Sequence, residues 1–299
     1  MQTFLRSLLS WSLRLLLKPV FSGWMPIKLQ RLWLRVMSAS SLPPRGTRAE
    51  VIDMNGIRAE RVTTPQSGSH VVLFLHGGGY CIGSTRTHRP LAAHIARAAG
   101  AVSYVPEYRL APEHPHPAAL DDAMAAYRWL LSQDCKSTQI AIGGDSAGGG
   151  LAIATAVAIR DAGLPLPTAL ILISPWIDLT LSGDNANTHA RRDPMLSHSI
   201  VALWSRLYLG THPANHPLCS PLFAKLKGLP PMLIQVGSEE ILLSDSQRFE
   251  QRAKAAGVKV QMHLYEKMWH DFQMHAGVLR ESDTAIAEIG AFVKQHVTA

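Results

Sequence analysis

Short apolar runs alternate with amphipathic segments along most of the chain, beginning just after residue 46. The runs have the length and composition of strands, several of them buried on both faces, and the amphipathic segments have helical periodicity. We predict strands at residues 51–54, 58–62, 71–75, 101–105, 139–142, 169–173, 232–236 and 259–264. We predict helices at residues 90–99, 118–131, 147–162, 197–209, 244–256 and 284–296.

Strands that alternate with helices are typical of an α/β protein whose mostly parallel sheet is flanked by helices on both faces. The first two strands are an exception, because Asn55 and Gly56 between them are a strong signal for an antiparallel hairpin. In parallel sheets of this kind, functional sites lie beyond the carboxyl ends of the strands. Candidate functional residues are therefore expected directly after the predicted strands.

The N-terminal segment, residues 1–37, is rich in Leu and Trp and carries basic residues at intervals. Its apolar run at 8–17 is interrupted by Arg14, has no small-residue cleavage site after it and is too short to span a bilayer. Apolar residues recur in it at helical spacing, which indicates an amphipathic helix. We predict that this helix packs over the protein's own active site; contact with a membrane surface is the alternative.

Composition and charge exclude few classes of protein. The chain has 299 residues, 47% hydrophobic and 17% charged, which is ordinary for an α/β protein with a large core. The formal charge of +7 would favour a nucleic-acid partner if the cations were clustered, but they occur singly or in pairs. We predict no nucleic-acid partner.

Neither the cysteine spacing nor the histidine pair at 114 and 116 predicts a metal centre. Cys81, Cys135 and Cys219 form no C-x-x-C pair, so neither a zinc site nor a redox motif is predicted, and their odd number fits a reducing cytoplasm. Cys81 is interpreted as a small buried hydrophobe. His114 and His116 are interleaved with prolines and have no acidic cluster beside them, so we predict no metal site there.

The residues 144–148 read Gly-Asp-Ser-Ala-Gly and fall between a predicted strand and a predicted helix. This is the context that a G-x-S-x-G nucleophile elbow requires, and it makes Ser146 the candidate nucleophile. The backbone N–H of Ala147, at the helix N-terminus, would then face a developing oxyanion. A glycine-rich turn with a helix-capping serine is the alternative.

A second glycine block, His-Gly-Gly-Gly at residues 76–79, ends another buried strand. Consecutive glycines indicate close approach of the backbone to another group. Loops of this type supply oxyanion-hole donors in lipases and esterases, so Gly77 and Gly78 are the candidate donors. A phosphate-binding loop is disfavoured because no G-K-[ST] follows.

A hydrolytic triad on this fold needs an acid and then a histidine after the serine in chain order. His270 is the candidate base, because it lies in the loop that follows the predicted strand 259–264. Glu239, just past the strand 232–236, is the first candidate for the acid, followed by Glu240 and Asp245.

Taken together, the blocks resemble those of the bacterial hormone-sensitive-lipase family of carboxylesterases, in the α/β-hydrolase superfamily. The resemblance runs from about residue 46 to the C-terminus. It rests on the glycine block at 76–79, Tyr-Arg-Leu-Ala-Pro-Glu-His-Pro at 108–115, Gly-Asp-Ser-Ala-Gly-Gly at 144–149, Ser-Pro-Trp at 174–176 and Gly-Leu-Pro-Pro at 228–231.

The resemblance implies a catalytic domain at residues 46–299 and a helical cap built from residues 1–45 and a segment at about 182–209. It also implies hydrolysis of short- to medium-chain acyl esters without a cofactor or metal. The family's acid is usually an aspartate two residues after the glycine that ends the strand, where this chain has Glu239. Glutamate serves as the triad acid in other α/β-hydrolases, so Glu239 remains the first candidate for the acid and Glu240 remains the alternative.

Two rival functions remain at the level of sequence. An amidase or deacetylase would use the same triad. The sequence does not separate it from an esterase, because the shape of the pocket determines which leaving group is accepted. A non-catalytic small-molecule receptor of the same family would lack the histidine, which this chain has as His270. The expected partner is a small-molecule ester; homo-oligomerisation and peripheral membrane contact stay open.

Overall fold

The computed structural model describes residues 2–133, 135–184 and 188–297. Eight strands form one sheet: β1 (Arg48–Asp53), β2 (Arg58–Thr63), β3 (His70–Leu75), β4 (Ala101–Pro106), β5 (Ile140–Asp145), β6 (Ala169–Ile173), β7 (Met232–Gly237) and β8 (Val260–Tyr265). The helices described are α1 (Gln2–Leu16), α2 (Ile27–Met37), α3 (Thr85–Ala99), α4 (Ala118–Ser132), α5 (Ala147–Asp161), α6 (His198–Leu209), α7 (Leu243–Ala255) and α8 (Arg280–His296).

The strand order in the sheet is β1-β2-β4-β3-β5-β6-β7-β8. Strands β3 to β8 are parallel to one another, whereas β2 pairs with β4, and β1 with β2, in antiparallel fashion. The α/β fold class predicted from the sequence is confirmed. Crossover helices bring the carboxyl ends of the parallel strands to one edge, where the candidate residues are expected.

Side chains alternate between the two faces of the sheet, as the two-residue period of a strand requires. In β3, Leu73 and Leu75 pack into the core shared with α4, α5 and α7, while Val72 and Phe74 pack into the core shared with α3 and α8. Both cores are apolar, which explains why the central strands read as continuous hydrophobic runs.

The hairpin between β1 and β2 closes as the sequence predicts. Asn55 and Gly56 both have positive φ, at 56° and 89°, as a two-residue type I′ turn requires. Helix α3, in contrast, begins at Thr85, five residues before the predicted start at Pro90. Ser84 forms a capping box with Thr87, so it ends the loop and leaves the proline inside the first turns of the helix.

The N-terminal helices are tied to the segment that precedes α6. Arg14 donates to the carbonyl of Arg191 at 2.8 Å, and Lys18 donates to that of Ala190 at 2.7 Å. The predicted cap segment at 182–209 includes residues 185–187, which lie outside the described residues. Within the described chain, every helix falls short of the length and apolar character that crossing a membrane demands.

Candidate active site

Ser146 occupies a strained turn between β5 and α5. Its backbone has φ 53° and ψ −121°, and its side chain makes no capping hydrogen bond to the helix. The turn leaves no room beside it: a Cβ on Gly148 would lie 1.9 Å from the carbonyl oxygen of Leu75. The helix-capping alternative is therefore wrong, and the geometry is that of a nucleophile elbow.

Backbone hydrogen bonds hold this elbow against the next strand. The N–H of Ser146 donates to Ile173 at 2.8 Å, and its carbonyl accepts from the N–H of Trp176 at 2.9 Å. The serine side chain is consequently held at the N-terminal end of α5, where the helix dipole favours negative charge.

A cavity of about 360 Å³ opens above the serine. Its polar lining includes Gly78, Asp145, Ser146, His270 and Asp271, which lie at the ends of strands or in the turns and loops after them, and His88 from α3. Its apolar lining includes Leu9, Leu13, Leu17, Phe21, Leu34, Met37, Leu196 and Trp204. Three of the sequence-predicted residues, Ser146, His270 and Gly78, thus meet at one cavity, and the N-terminal segment and α6 supply much of its remaining wall.

Glu240 lies behind the imidazole of His270. Its Oε2 is 2.9 Å from His270 Nδ1, and both side chains are buried. The other carboxylate oxygen, Oε1, accepts from the N–H of Gly237 at 2.6 Å and from the hydroxyl of Ser174 at 2.9 Å. A buried carboxylate so fully hydrogen-bonded can hold an imidazole in one tautomer and orientation.

The first candidate for this position, Glu239, is not beside His270. The N–H groups of Ser238 and Glu239 donate to the carbonyls of Tyr265 and Met268, which extends the contact between the ends of β7 and β8 by two residues. The chain turns inward only after them, so Glu240 reaches the imidazole while Glu239 stays partly exposed. Asp245 is also elsewhere, accepting from the N–H groups of Ile177 and Asp178.

Asp271 is a site residue that the sequence analysis missed. Its Oδ2 lies 3.1 Å from His270 Nε2, and its backbone, with φ 53°, donates to the hydroxyl of Ser174. Burial raises the pKa of Asp271 to about 7, against the opposing charge of His270. The only signal available was its place next to His270.

The two carboxylates dominate the protonation of His270. Burial by itself would lower its pKa, but the charges and hydrogen bonds of Asp271 and Glu240 outweigh burial and raise the pKa of His270 well above its usual value. In this conformation His270 Nε2 faces Asp271, and Ser146 lines the same cavity.

The backbone N–H of Gly77, which was predicted to be an oxyanion-hole donor, is hydrogen-bonded to the side chain of Asp145. Gly77 N–H donates to Asp145 Oδ1 at 3.0 Å, and Asp145 Oδ2 lies 3.1 Å from Nε2 of buried His88. Burial opposes protonation of His88, but the charge of Asp145 raises its pKa. The expectation for Gly77 is therefore wrong for this conformation, because its donor is already engaged; Gly78 lines the cavity instead.

The arrangement has the parts that acyl transfer needs: a serine at a helix N-terminus, an imidazole at the same cavity and a carboxylate behind that imidazole. A reactive thiol is not among them. Burial raises the pKa of Cys81 to about 12, and its Sγ contacts the carbonyl of Trp204.

Known proteins are similar to this chain in sequence and fold. The family model for the alpha/beta hydrolase fold matches residues 72–274. An acetyl-hydrolase of Streptomyces hygroscopicus is 42% identical over 82% of each chain, and an esterase of Acinetobacter venetianus is 40% identical over 81% of this chain and 80% of its own.

A solved structure is similar over nearly the whole chain. It is an esterase from the bacterial hormone-sensitive lipase family, with a TM-score of 0.93, 41% identity and coverage of 98% of both chains. The chain described here belongs to the α/β-hydrolase fold family and, within it, to the hormone-sensitive-lipase family of carboxylic ester hydrolases.

Proposed function

We propose that this enzyme hydrolyses short- to medium-chain acyl esters by two-step acyl transfer, with Ser146 as nucleophile, His270 as base and Glu240 as the acid that orients the base. The observation that carries the proposal is the meeting of Ser146 and His270 at one apolar-walled cavity, with Glu240 2.9 Å behind the imidazole. The family membership given above supports the reaction class.

In the first step, Ser146 Oγ attacks the ester carbonyl while His270 Nε2 accepts the hydroxyl proton. For this, the imidazole exchanges its contact with Asp271 for one with Ser146. His270 then gives that proton to the departing alcohol, which leaves an acyl-enzyme. A water molecule repeats the sequence, releasing the carboxylic acid and restoring the serine.

The negative oxygen of each tetrahedral intermediate needs hydrogen-bond donors. We assign this role to the N–H groups of Gly78, at the cavity wall, and Ala147, the first residue of α5. Gly77 holds the loop in place through Asp145 rather than binding the oxyanion.

The residues that line the cavity indicate how the chain is divided into a cap and a catalytic domain. We propose that residues 1–45, together with the segment at about 182–209, form a cap on the catalytic domain at 46–299. Leu13 and Phe21 from the N-terminal part and Trp204 from α6 contribute apolar wall, which supports this division and an apolar acyl group as substrate.

The outer surface of the N-terminal helices is apolar as well. Phe4, Trp11 and Trp24 are 73%, 62% and 74% exposed, and Lys28 and Arg35 are exposed near them in sequence. Exposed aromatics with basic residues are typical of helices that lie on an anionic membrane surface. We propose such a peripheral contact for an enzyme of the cytoplasm, testable by sedimentation with anionic and neutral vesicles; binding to neither kind would contradict it.

The proposed reaction is tested with p-nitrophenyl esters of graded acyl length against the matching p-nitroanilides. We expect turnover of the short- and medium-chain esters and little turnover of the anilides. Preferential cleavage of the anilides would assign the same residues to an amidase, and binding without turnover would indicate a receptor.

A further inference from the structure

Three histidines and a cysteine meet at the end of α6, where no role has been assigned above. His116 follows the loop at 108–115, and His212, His216 and Cys219 lie in the segment after α6. The metal-ligating atoms of His116, His216 and Cys219 all lie within 4.8 Å of one another. None of these residues lines the catalytic cavity, so the cluster is separate from the site already described.

The spacing of these side chains is close to that of a tetrahedral metal centre. Cys219 Sγ lies 3.8 Å from His216 Nδ1, near the roughly 3.6 Å expected between a sulfur and a nitrogen on one zinc ion. The ring of His116 has its centre 4.8 Å from that of His212 and 5.5 Å from that of His216. Two imidazoles on one tetrahedral ion have ring centres about 5 Å apart.

In two of the imidazole rings, Nδ1 lies near a neighbouring polar group, so Nε2 is the nitrogen that would bind a metal. His212 Nδ1 lies 3.3 Å from the carbonyl of Leu209, and His116 Nδ1 lies 3.3 Å from the hydroxyl of Tyr208. Metal-binding histidines are commonly oriented in this way by a partner on the second nitrogen.

We propose that His116, His216 and Cys219 bind one zinc ion, and that His212, whose ring packs against those of His116 and His216, supplies the fourth ligand. One thiolate and three imidazoles in tetrahedral arrangement are a donor set that zinc prefers. Binding forms the zinc–sulfur bond, breaks the S–H bond of the Cys219 thiol and releases one proton to solvent.

The position of the site indicates a structural role. Tyr208, in the last turn of α6, stacks on Tyr80 of the glycine loop with ring centres 3.7 Å apart. Trp204, on the same helix, lines the catalytic cavity. Zinc would join the end of α6 to the loop that carries His116, and it would thereby hold one wall of the acyl site.

The sequence analysis missed this site, because His116 and the other residues of the cluster lie in two distant segments. His114 and His116 were considered as a pair, but only His116 belongs to the cluster. His212, His216 and Cys219 have the spacing H-x3-H-x2-C at 212–219, and only the fold brings His116 to them.

Cobalt titration of chelator-treated protein without a histidine tag tests the proposal. We expect one Co²⁺ per chain, with the visible bands of tetrahedral cobalt and a sulfur-to-cobalt charge-transfer band in the near ultraviolet. Stoichiometric Zn²⁺ should displace the cobalt, and Zn²⁺ should raise the Tm of the metal-free protein.

Ligand variants and matched controls locate the binding site. Cys219→Ser should remove the charge-transfer band. Loss of a group that only hydrogen-bonds to a metal ligand weakens metal binding by roughly 10- to 100-fold, and His216→Ala should weaken Zn²⁺ binding by more than that, because it removes a ligand. The control variants Cys135→Ser and His198→Ala should leave the charge-transfer band and the Zn²⁺ affinity unchanged. Retained esterase activity shows that each variant is folded, and if buried Cys219→Ser does not fold, half-buried His216→Ala carries the test. Absence of tetrahedral Co²⁺ bands, or unchanged zinc affinity in His216→Ala, would overturn the proposal.

Discussion

The imidazole Nδ1 of His270 lies 2.9 Å from Oε2 of Glu240, whereas the adjacent Glu239 is turned outward by its backbone hydrogen bond to Met268. Two neighbouring glutamates therefore have different surroundings, and the one that the sequence ranked second is the one beside His270. The pair offers a comparison in which the same substitution is made at consecutive positions.

Glu240→Gln should lower kcat by on the order of 10²- to 10⁴-fold, because an amide cannot stabilise the imidazolium that forms during attack. Glu239→Gln should cost less than about tenfold, the equivalent of about 1.4 kcal/mol. Both are measured on one p-nitrophenyl ester after thermal melting has shown that the variants are folded. A large loss of kcat in Glu239→Gln, together with a nearly wild-type kcat in Glu240→Gln, would refute the assignment of Glu240 as the acid.

Asp271→Asn should move the acidic limb of the kcat/KM profile to lower pH. His270 acts as a base only when neutral, and the Asp271 carboxylate raises its pKa. Removing that charge lowers the pKa of His270, so the neutral base persists in more acidic solution. The profile is recorded on one ester for wild type, Asp271→Asn and, as control, Glu239→Gln. An acidic limb that stays in place or moves to higher pH would contradict this account of Asp271.

Leu13→Ala should shift the preference toward longer acyl chains, because Leu13 is buried and lines the cavity. Leu15, on the same helix, is 67% exposed and does not line the cavity, so Leu15→Ala is the matched control. The ratio of kcat/KM for octanoate and butyrate esters should rise several-fold in the first variant and stay constant in the second. Equal ratios in both variants would argue against α1 as part of the acyl site.

The stability of the two variants should also differ. Truncating a buried leucine typically costs about 2–5 kcal/mol, and truncating an exposed one costs little. A lower Tm for Leu13→Ala with an unchanged acyl preference would assign α1 a packing role only.

The fold was predictable because its signals are local. Apolar runs such as that of β3 mark strands, and Asn55 with Gly56 marks the hairpin. The elbow at Ser146 was predictable too, because its glycines are required by contacts within a few residues or with one adjacent strand.

The errors came from distances that local patterns do not determine. Whether Glu239 or Glu240 reaches His270 depends on how far the contact between the ends of β7 and β8 continues. The engagement of Gly77 N–H depends on Asp145, which is 68 positions away in the chain. The contact of Asp271 with His270 Nε2 depends on a left-handed backbone at a residue that is not glycine, for which the sequence gives no signal.

Covalent labelling of the nucleophile tests the central claim most directly. The protein is incubated with an organophosphonate, residual esterase activity is followed, and the modified peptide is identified by mass spectrometry. We predict one adduct per chain on Ser146, formed in proportion to the activity lost, and no adduct or ester turnover in Ser146→Ala. A label on Cys81, or an alanine variant that keeps most of its activity, would contradict catalysis by Ser146.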